Sequence, residues 1–192
     1  MSTLLDCLER EDVSSSTRAR FAAYDWCKDI FTSSTLIPVK NLLQHTSRFS
    51  TTTLRDHDTI LAMQYFYAPP GTVAAPHDSV SYPGELHTLY ALGDGASGHP
   101  GFAHGGVIAT LFDLQLGSLL YADPAIPRPT TVSCNIRYRK PVLLPGAVKV
   151  CAWKEKEEGR NHWVRADMFG AQGEVLASAE GMWVSVNISE KL

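Results

Sequence analysis

His104 to Tyr121 reads HGGVIATLFDLQLGSLLY, and the fold turns on this stretch. Val107, Ile108, Leu111, Phe112, Leu114, Leu116, Leu119 and Leu120 spread around every side of a helical wheel. A helix that is apolar all round is buried rather than laid on a surface. This one is too short and too interrupted to span a membrane. Its polar members are Thr110, Asp113, Gln115 and Ser118. A carboxylate buried without partners costs on the order of several kcal/mol. Asp113 is therefore expected to be paired, solvated by a pocket, or protonated.

One stripe of the helix is built from small residues. Gly106, Ala109, Thr110, Asp113 and Gly117 recur at spacings of three and four, so they share a face. Such a stripe fits tight packing of helix on sheet. It also fits a cleft that runs past Asp113 with the Gly105 and Gly106 N–H groups at its head. A helix start leaves N–H groups unpaired and carries partial positive charge. Those groups suit an anion or a developing oxyanion.

Outward from the helix, period-two patterns take over. Residues 59 to 68 (TILAMQYFYA) and Glu85 to Leu92 read as strands. Between them Pro69, Pro70, Gly71, Pro76, Pro83 and Gly84 mark a long loop. A glycine-rich segment, GDGASGHPGFAHGG, feeds the helix. After it, Pro124, Pro127 and Pro129 force an irregular link. From Thr130, Val132, Cys134, Ile136 and Tyr138 fall on one face of a strand. Thr131, Ser133, Asn135, Arg137 and Arg139 fall on the other. Strands over 147 to 156, 162 to 169 and 174 to 186 follow, and turns at Pro145-Gly146, Gly159-Arg160-Asn161 and Gly170 to Gly173 predict a four-strand antiparallel meander. A buried helix with a meander that curls around it is an α+β architecture. On the N-terminal side, Ser14, Ser15 and Ser16 offer N-caps for a helix running to about Phe31, and a short helical turn is expected at Asn41 to His45.

Composition narrows the classes of function. The chain has 192 residues, 44% of them hydrophobic, which suits one globular domain with some extra length. A net charge of −3 without runs of like charge gives no footprint for nucleic acid. Cys7, Cys27, Cys134 and Cys151 lack metal-site spacing and read as reduced thiols. The remaining histidines show no ligand spacing either, so no metal is expected. The first residues, MSTLLDCLERED, resemble neither a secretory signal nor a transit peptide. A cytoplasmic protein is expected.

HGGVIATLFDLQLG followed by TTVSCNIRYRKP resembles the hotdog-fold acyl thioesterases of the phenylacetate-pathway type and their eukaryotic relatives. His104, Gly105, Gly106, Asp113, Gly117, Thr131, Tyr138 and Pro141 carry the resemblance, which covers about residues 85 to 186. It implies a hotdog fold, an antiparallel sheet wrapped around a central helix, assembled as a homodimer or tetramer with active sites between protomers. It implies Asp113 as general base or nucleophile on a thioester. Gly105 and Gly106 would polarise the carbonyl, and Thr131, usually from the neighbouring protomer, would help hold the water. His104 either satisfies the helix start or helps to bind that carbonyl.

The chemistry is compatible with those roles. A thiolate leaves easily, so a strong general acid is not required. Arg137, Arg139 and Lys140 are candidates for coenzyme A phosphates. No cofactor is expected beyond coenzyme A or phosphopantetheine as part of the substrate. The substrate that the resemblance implies is an acyl thioester, fatty or polyketide, carried by coenzyme A or by an acyl carrier protein. The alternative is a hotdog protein without hydrolytic activity, which binds such a chain or catalyses dehydration or cyclisation on it.

Two domains are expected, an N-terminal helical extension over 1 to 58 and the hotdog domain over 59 to 192. Phe21, Trp26, Ile30 and Phe31 give the extension an apolar face. That face either lies at the substrate entrance, where it shapes the acyl pocket together with loop 69 to 84, or caps the outer face of the sheet.

Overall fold

The structure, a computed structural model, describes residues 8–40, 49–72 and 84–186. The expected turn at Asn41 to His45 and most of loop 69 to 84 lie outside the described residues. The elements in chain order are α1 (Ser15–Phe21), α2 (Asp25–Phe31), β1 (Ile37–Val39), β2 (Ile60–Ala68), β3 (Glu85–Leu92), β4 (Ser97–His99), β5 (Phe102–Ala103), α3 (Gly105–Tyr121), β6 (Pro129–Tyr138), β7 (Gly146–Glu158), β8 (Asn161–Phe169) and β9 (Val175–Ser185). Seven strands form one sheet in the order β1-β2-β3-β7-β8-β9-β6, and each neighbouring pair is antiparallel. β4 and β5 make a separate small hairpin ahead of α3.

The meander is only partly as expected. β7, β8 and β9 follow one another, but β6 pairs with β9 and β7 pairs with β3. The link from β6 to β7 explains the difference. It does not turn back on β6, because it is tied to the segment before α3. Ala103 N–H donates to the Val142 carbonyl, and Leu144 N–H donates to the Gly101 carbonyl. Val142 and Leu144 are buried. The chain is thereby carried past the start of α3 to the middle of the sheet, and β6 is left as an edge.

α3 packs on one face of this sheet. Leu111, Phe112, Leu116, Leu119 and Leu120 join Tyr65, Tyr67, Leu86, Tyr90, Val150, Val164 and Trp183 in the main core. The helix is not buried all round, as its composition implies. From Gln115 to Leu120 every residue is buried, whereas Gly106 and Asp113 are exposed and Ala109 and Thr110 are half-buried. Asp113 thus avoids the desolvation cost by standing at the open flank of the first turns.

The N-terminal segment covers the other face. Its helix is broken in two: Ser14 caps α1 through its side chain, and Tyr24 begins α2 without a side-chain cap. Phe21 and Cys27 pack with Ala62, Phe66, Leu89 and Ala91 on the side of the sheet away from α3. Phe31 meets Phe66 edge-on at 5.6 Å between ring centroids. The extension is therefore a cap on the outer face, and α1 and α2 do not form a lid at the substrate entrance. Nor is it only helical. β1 pairs with β2, so the sheet crosses the boundary drawn at residue 58. Pro38 is tolerated there because β1 is an edge strand.

The buried Phe66 ring joins cap and sheet, so Phe66→Ala tests this arrangement. Loss of a buried Phe side chain costs about 3–5 kcal/mol. Denaturant titration should register a loss of that size, while the choice among acyl chains stays unchanged. A shift in acyl preference without loss of stability would restore the lid.

Candidate active site

β6 supplies one side of the site through an irregularity. Simple alternation sets Thr131 on the face opposite Cys134 and Ile136. In the structure Thr131 pairs with Trp183 and Ser133 pairs with the adjacent Met182, so Val132 is an extra residue. This β-bulge re-aims the side chains before it. Thr131 turns to the α3 side, the side on which Trp183, Cys134 and Ile136 pack. There its Oγ1 donates to Asp113 Oδ1 at 3.0 Å. Both residues belong to the same chain. This corrects the expectation that Thr131 of one protomer approaches Asp113 of its neighbour.

Trp183, the register partner of Thr131, is seated between glycines. A Cβ at Gly181 would run into the indole ring, and at Gly117 it would come no closer than 3.9 Å to Nε1. Gly117 is therefore the packing end of the small-residue stripe, and Gly106 to Asp113 is the open end. Cys134, half-buried, lies in the field of Asp113. Burial first, then the Asp113 carboxylate, raises its thiol above the usual range.

The helix start forms the other side of the site. His104 is the N-cap of α3, and its Nδ1 accepts the Gly106 N–H at 2.9 Å. One of the two expected oxyanion donors is thus already used, and His104 has the capping role. Gly105 N–H makes no hydrogen bond among the described residues. Tyr138 Oη donates to the Gly105 carbonyl at 3.0 Å and lays its ring beside Gly105. An open cleft of about 400 Å³ runs along Gly105, Phe102, Ile108, Tyr138, Arg139 and Lys140. Lys140 is thus brought to the helix start, whereas the Arg139 side chain, which also borders the cleft, donates from Nε to Ser178 Oγ at 3.1 Å. Arg137 is not brought there, because strand alternation turns it away from the side of Ile136 and Tyr138. The contribution of Tyr138 to this cleft is visible in the sequence only as a motif position.

Asp113 follows Gly105 by eight positions. At about 1.5 Å of rise per residue the two stand ~12 Å apart along the axis. One chain therefore presents two half-sites, Asp113 with Thr131 and Gly105 with its cleft.

Comparison with known proteins agrees with this architecture. Residues 100–177 match the Thioesterase superfamily. The acyl-coenzyme A thioesterase THEM4 of Rattus norvegicus is 37% identical over 76 residues, which is 40% of this chain and 32% of that protein. Its Bos taurus counterpart is 30% identical over 100 residues, 52% of this chain and 40% of that protein. The chain thus spans about a third of the length of the curated relatives it first matches. Among solved structures, a thioesterase from Haemophilus influenzae aligns over 78% of this chain and 90% of its own, with a TM-score of 0.55 at 14% identity. A hypothetical thioesterase from Streptococcus pneumoniae, solved with coenzyme A, aligns over 54% and 79% with a TM-score of 0.50 at 16% identity. The fold is the hotdog fold.

The capping role of His104 has a measurable consequence. Loss of an N-cap side chain costs about 0.5–2 kcal/mol, so urea titration of His104→Ala should show a loss in that range. Gly106→Ala should show a similar loss, since its new Cβ would meet His104 Nδ1 at 2.9 Å and displace the ring. Unchanged stability in both variants would contradict the cap.

Proposed function

We propose that this chain, whose hotdog domain is that of the thioesterase superfamily, hydrolyses acyl thioesters, with coenzyme A esters as the first class to test. The observation that carries the reading is the Asp113 carboxylate, held by Thr131 on the open flank of α3. Thr131 engages Oδ1 and leaves Oδ2 to take a proton from water or to attack the thioester carbon itself. The carbonyl oxygen needs a donor as negative charge develops, and Gly105 N–H at the helix start supplies one. The leaving thiolate needs little help.

Both half-sites must act on one carbonyl, so two copies are required. The edge of β6 is where a second copy joins in this reading. It is a ten-residue strand without an outer neighbour among the described residues, and Val132 and Tyr138 on it are 52% and 54% exposed. Edge strands left in this state invite pairing. In the proposed homodimer Asp113 and Thr131 of one protomer face Gly105 of the other. Lys140 beside the cleft offers charge to the phosphates of the carrier, and Arg139 would have to leave Ser178 to join it. The free thiols of Cys27, Cys134 and Cys151 support a cytoplasmic setting. An acyl carrier protein is the alternative donor of the acyl chain.

Free-thiol release across acyl-coenzyme A and acyl-carrier substrates tests the reading. The active species should sediment as a dimer or larger. Asp113→Asn should keep the fold and lower kcat by about a hundredfold or more. Thr131→Val should lower kcat as well, and Thr131→Ser should restore most of it. Thioester binding without thiol release from any substrate would favour the non-hydrolytic alternative, and full turnover by folded Asp113→Asn would remove the assignment.

A further inference from the structure

A second cluster of reactive side chains lies on the opposite face of the sheet. On β3, Leu86, Tyr90 and Leu92 face α3, while Leu89 and Ala91 face the outer cap. Alternation therefore places Glu85 and His87 on the outer face. On β7, Val150 and Ala152 face α3, so Cys151 between them also faces outward. His87 and Cys151 are register partners, and Glu85 precedes His87 by two positions on the same face. Cys151 Sγ lies 3.3 Å from His87 Nδ1, and His87 Nε2 lies 2.9 Å from Glu85 Oε2. The three residues are only 6%, 5% and 4% exposed.

This is the order nucleophile, base, orienting carboxylate. An ionised carboxylate can only accept, so Nε2 carries a hydrogen and donates it to Glu85. Nδ1 is then the ring nitrogen that faces sulfur. A proton moving from Sγ to Nδ1 leaves a thiolate beside an imidazolium, which Glu85 stabilises from the far side. Burial pulls the imidazole of His87 down, but Cys151 and Glu85 outweigh it and hold the ring up at about 9. Burial pushes Cys27 up to about 12, and burial with Asp113 raises Cys134.

We propose that Cys151 is a modification site, a thiol activated by His87 and Glu85 that reacts with small electrophiles such as hydroperoxides. Asp113 and its cleft take no part. The near-complete burial of Cys151 selects for reagent size and excludes a bulky acyl carrier. With hydrogen peroxide the step is balanced. The Cys151 thiolate attacks one oxygen, an S–O bond forms and the O–O bond breaks. Sulfur is oxidised by two electrons to the sulfenic acid, and peroxide is reduced. The departing hydroxide takes the proton from His87 and leaves as water. A buried ladder that merely ties β3 to β7 would hold the same atoms together and leave the thiol inert.

The test uses the full chain. Charged and titratable groups that face the thiol are His87 and Glu85 from β3, Asp167 from β8, which is the register partner of Cys151, and Lys149 on β7. Dilute hydrogen peroxide with dimedone trapping, followed by peptide mass mapping, should label Cys151 at least tenfold faster than Cys27 and Cys134. Iodoacetamide alkylation should follow the same order among the three thiols. His87→Asn should slow both labelling reactions of Cys151 at least tenfold, and Glu85→Gln should do so to a smaller degree. Labelling of Cys151 no faster than of Cys27 and Cys134, or unchanged by His87→Asn, would overturn the proposal. Should His87→Asn fail to fold, the wild-type rates and Glu85→Gln decide.

Discussion

α3 buries Leu111, Phe112, Leu116, Leu119 and Leu120 against one face of the sheet, and the site is what that burial leaves uncovered. The C-terminal half of the helix is enclosed and its first turns are covered on one side only. Apolar side chains cannot occupy an open flank without wasting contact with the core. The flank therefore carries Gly106, Ala109, Thr110 and Asp113. Two polar members of the enclosed half find partners across the core. Gln115 Nε2 donates to the Leu86 carbonyl at 2.7 Å, and Ser118 Oγ lies 3.3 Å from Tyr65 Oη. These contacts tie α3 to β3 and β2 and limit its rotation about its own axis. Rotation would carry Asp113 away from Thr131.

Much of this was legible from local pattern, because the responsible forces are local. The strands at Ile60–Ala68 and Glu85–Leu92 and the helix Gly105–Tyr121 fall where periodicity and Gly or Pro punctuation put them. What escaped depends on neighbours distant in sequence. The pairing of β6 with β9 rests on hydrogen bonds from Gly101 and Ala103 to the 142–144 link, which no strand pattern contains. The bulge at Val132 arises in register with β9, so alternation along β6 alone sets Thr131 on the wrong face. The exposure of Asp113 depends on how far the sheet curls, and a helical wheel holds no such information. The break between α1 and α2 falls at Ala22, Ala23 and Tyr24, where no Gly or Pro signals it.

The helix start shows how a motif can divide its labour. HGG reads as two equivalent N–H groups offered to a substrate, but His104 takes the one at Gly106 for itself. Capping by a side chain satisfies a group that would otherwise stay unpaired. The Gly105 N–H is left without a hydrogen bond among the described residues, beside the cleft. Tyr138, anchored on the Gly105 carbonyl, holds the first peptide from the other side. Stability of the helix end and availability of a single donor are thus two results of one arrangement.

The two faces of the sheet also constrain how copies can meet. Over β2 and β3 the outer face is closed by α1 and α2, whose Phe21 and Cys27 occupy the surface around Phe66 and Leu89. A second chain stacked there would have to displace buried aromatic contacts. The β1 edge is short, and its outer side is already taken by the 9–11 segment, where Arg10 bridges Val39 and the Glu11 N–H donates to the Pro38 carbonyl. β6 has neither defect. It is long, its outer side is unpaired among the described residues, and its bulge lies beside Thr131, near the Asp113 half-site. Its far end reaches Tyr138, which belongs to the Gly105 half-site. An antiparallel pairing of β6 with its own copy brings the start of one strand toward the end of the other. That geometry sets unlike half-sites together, so the edge best suited to pairing is also the one that would complete the site.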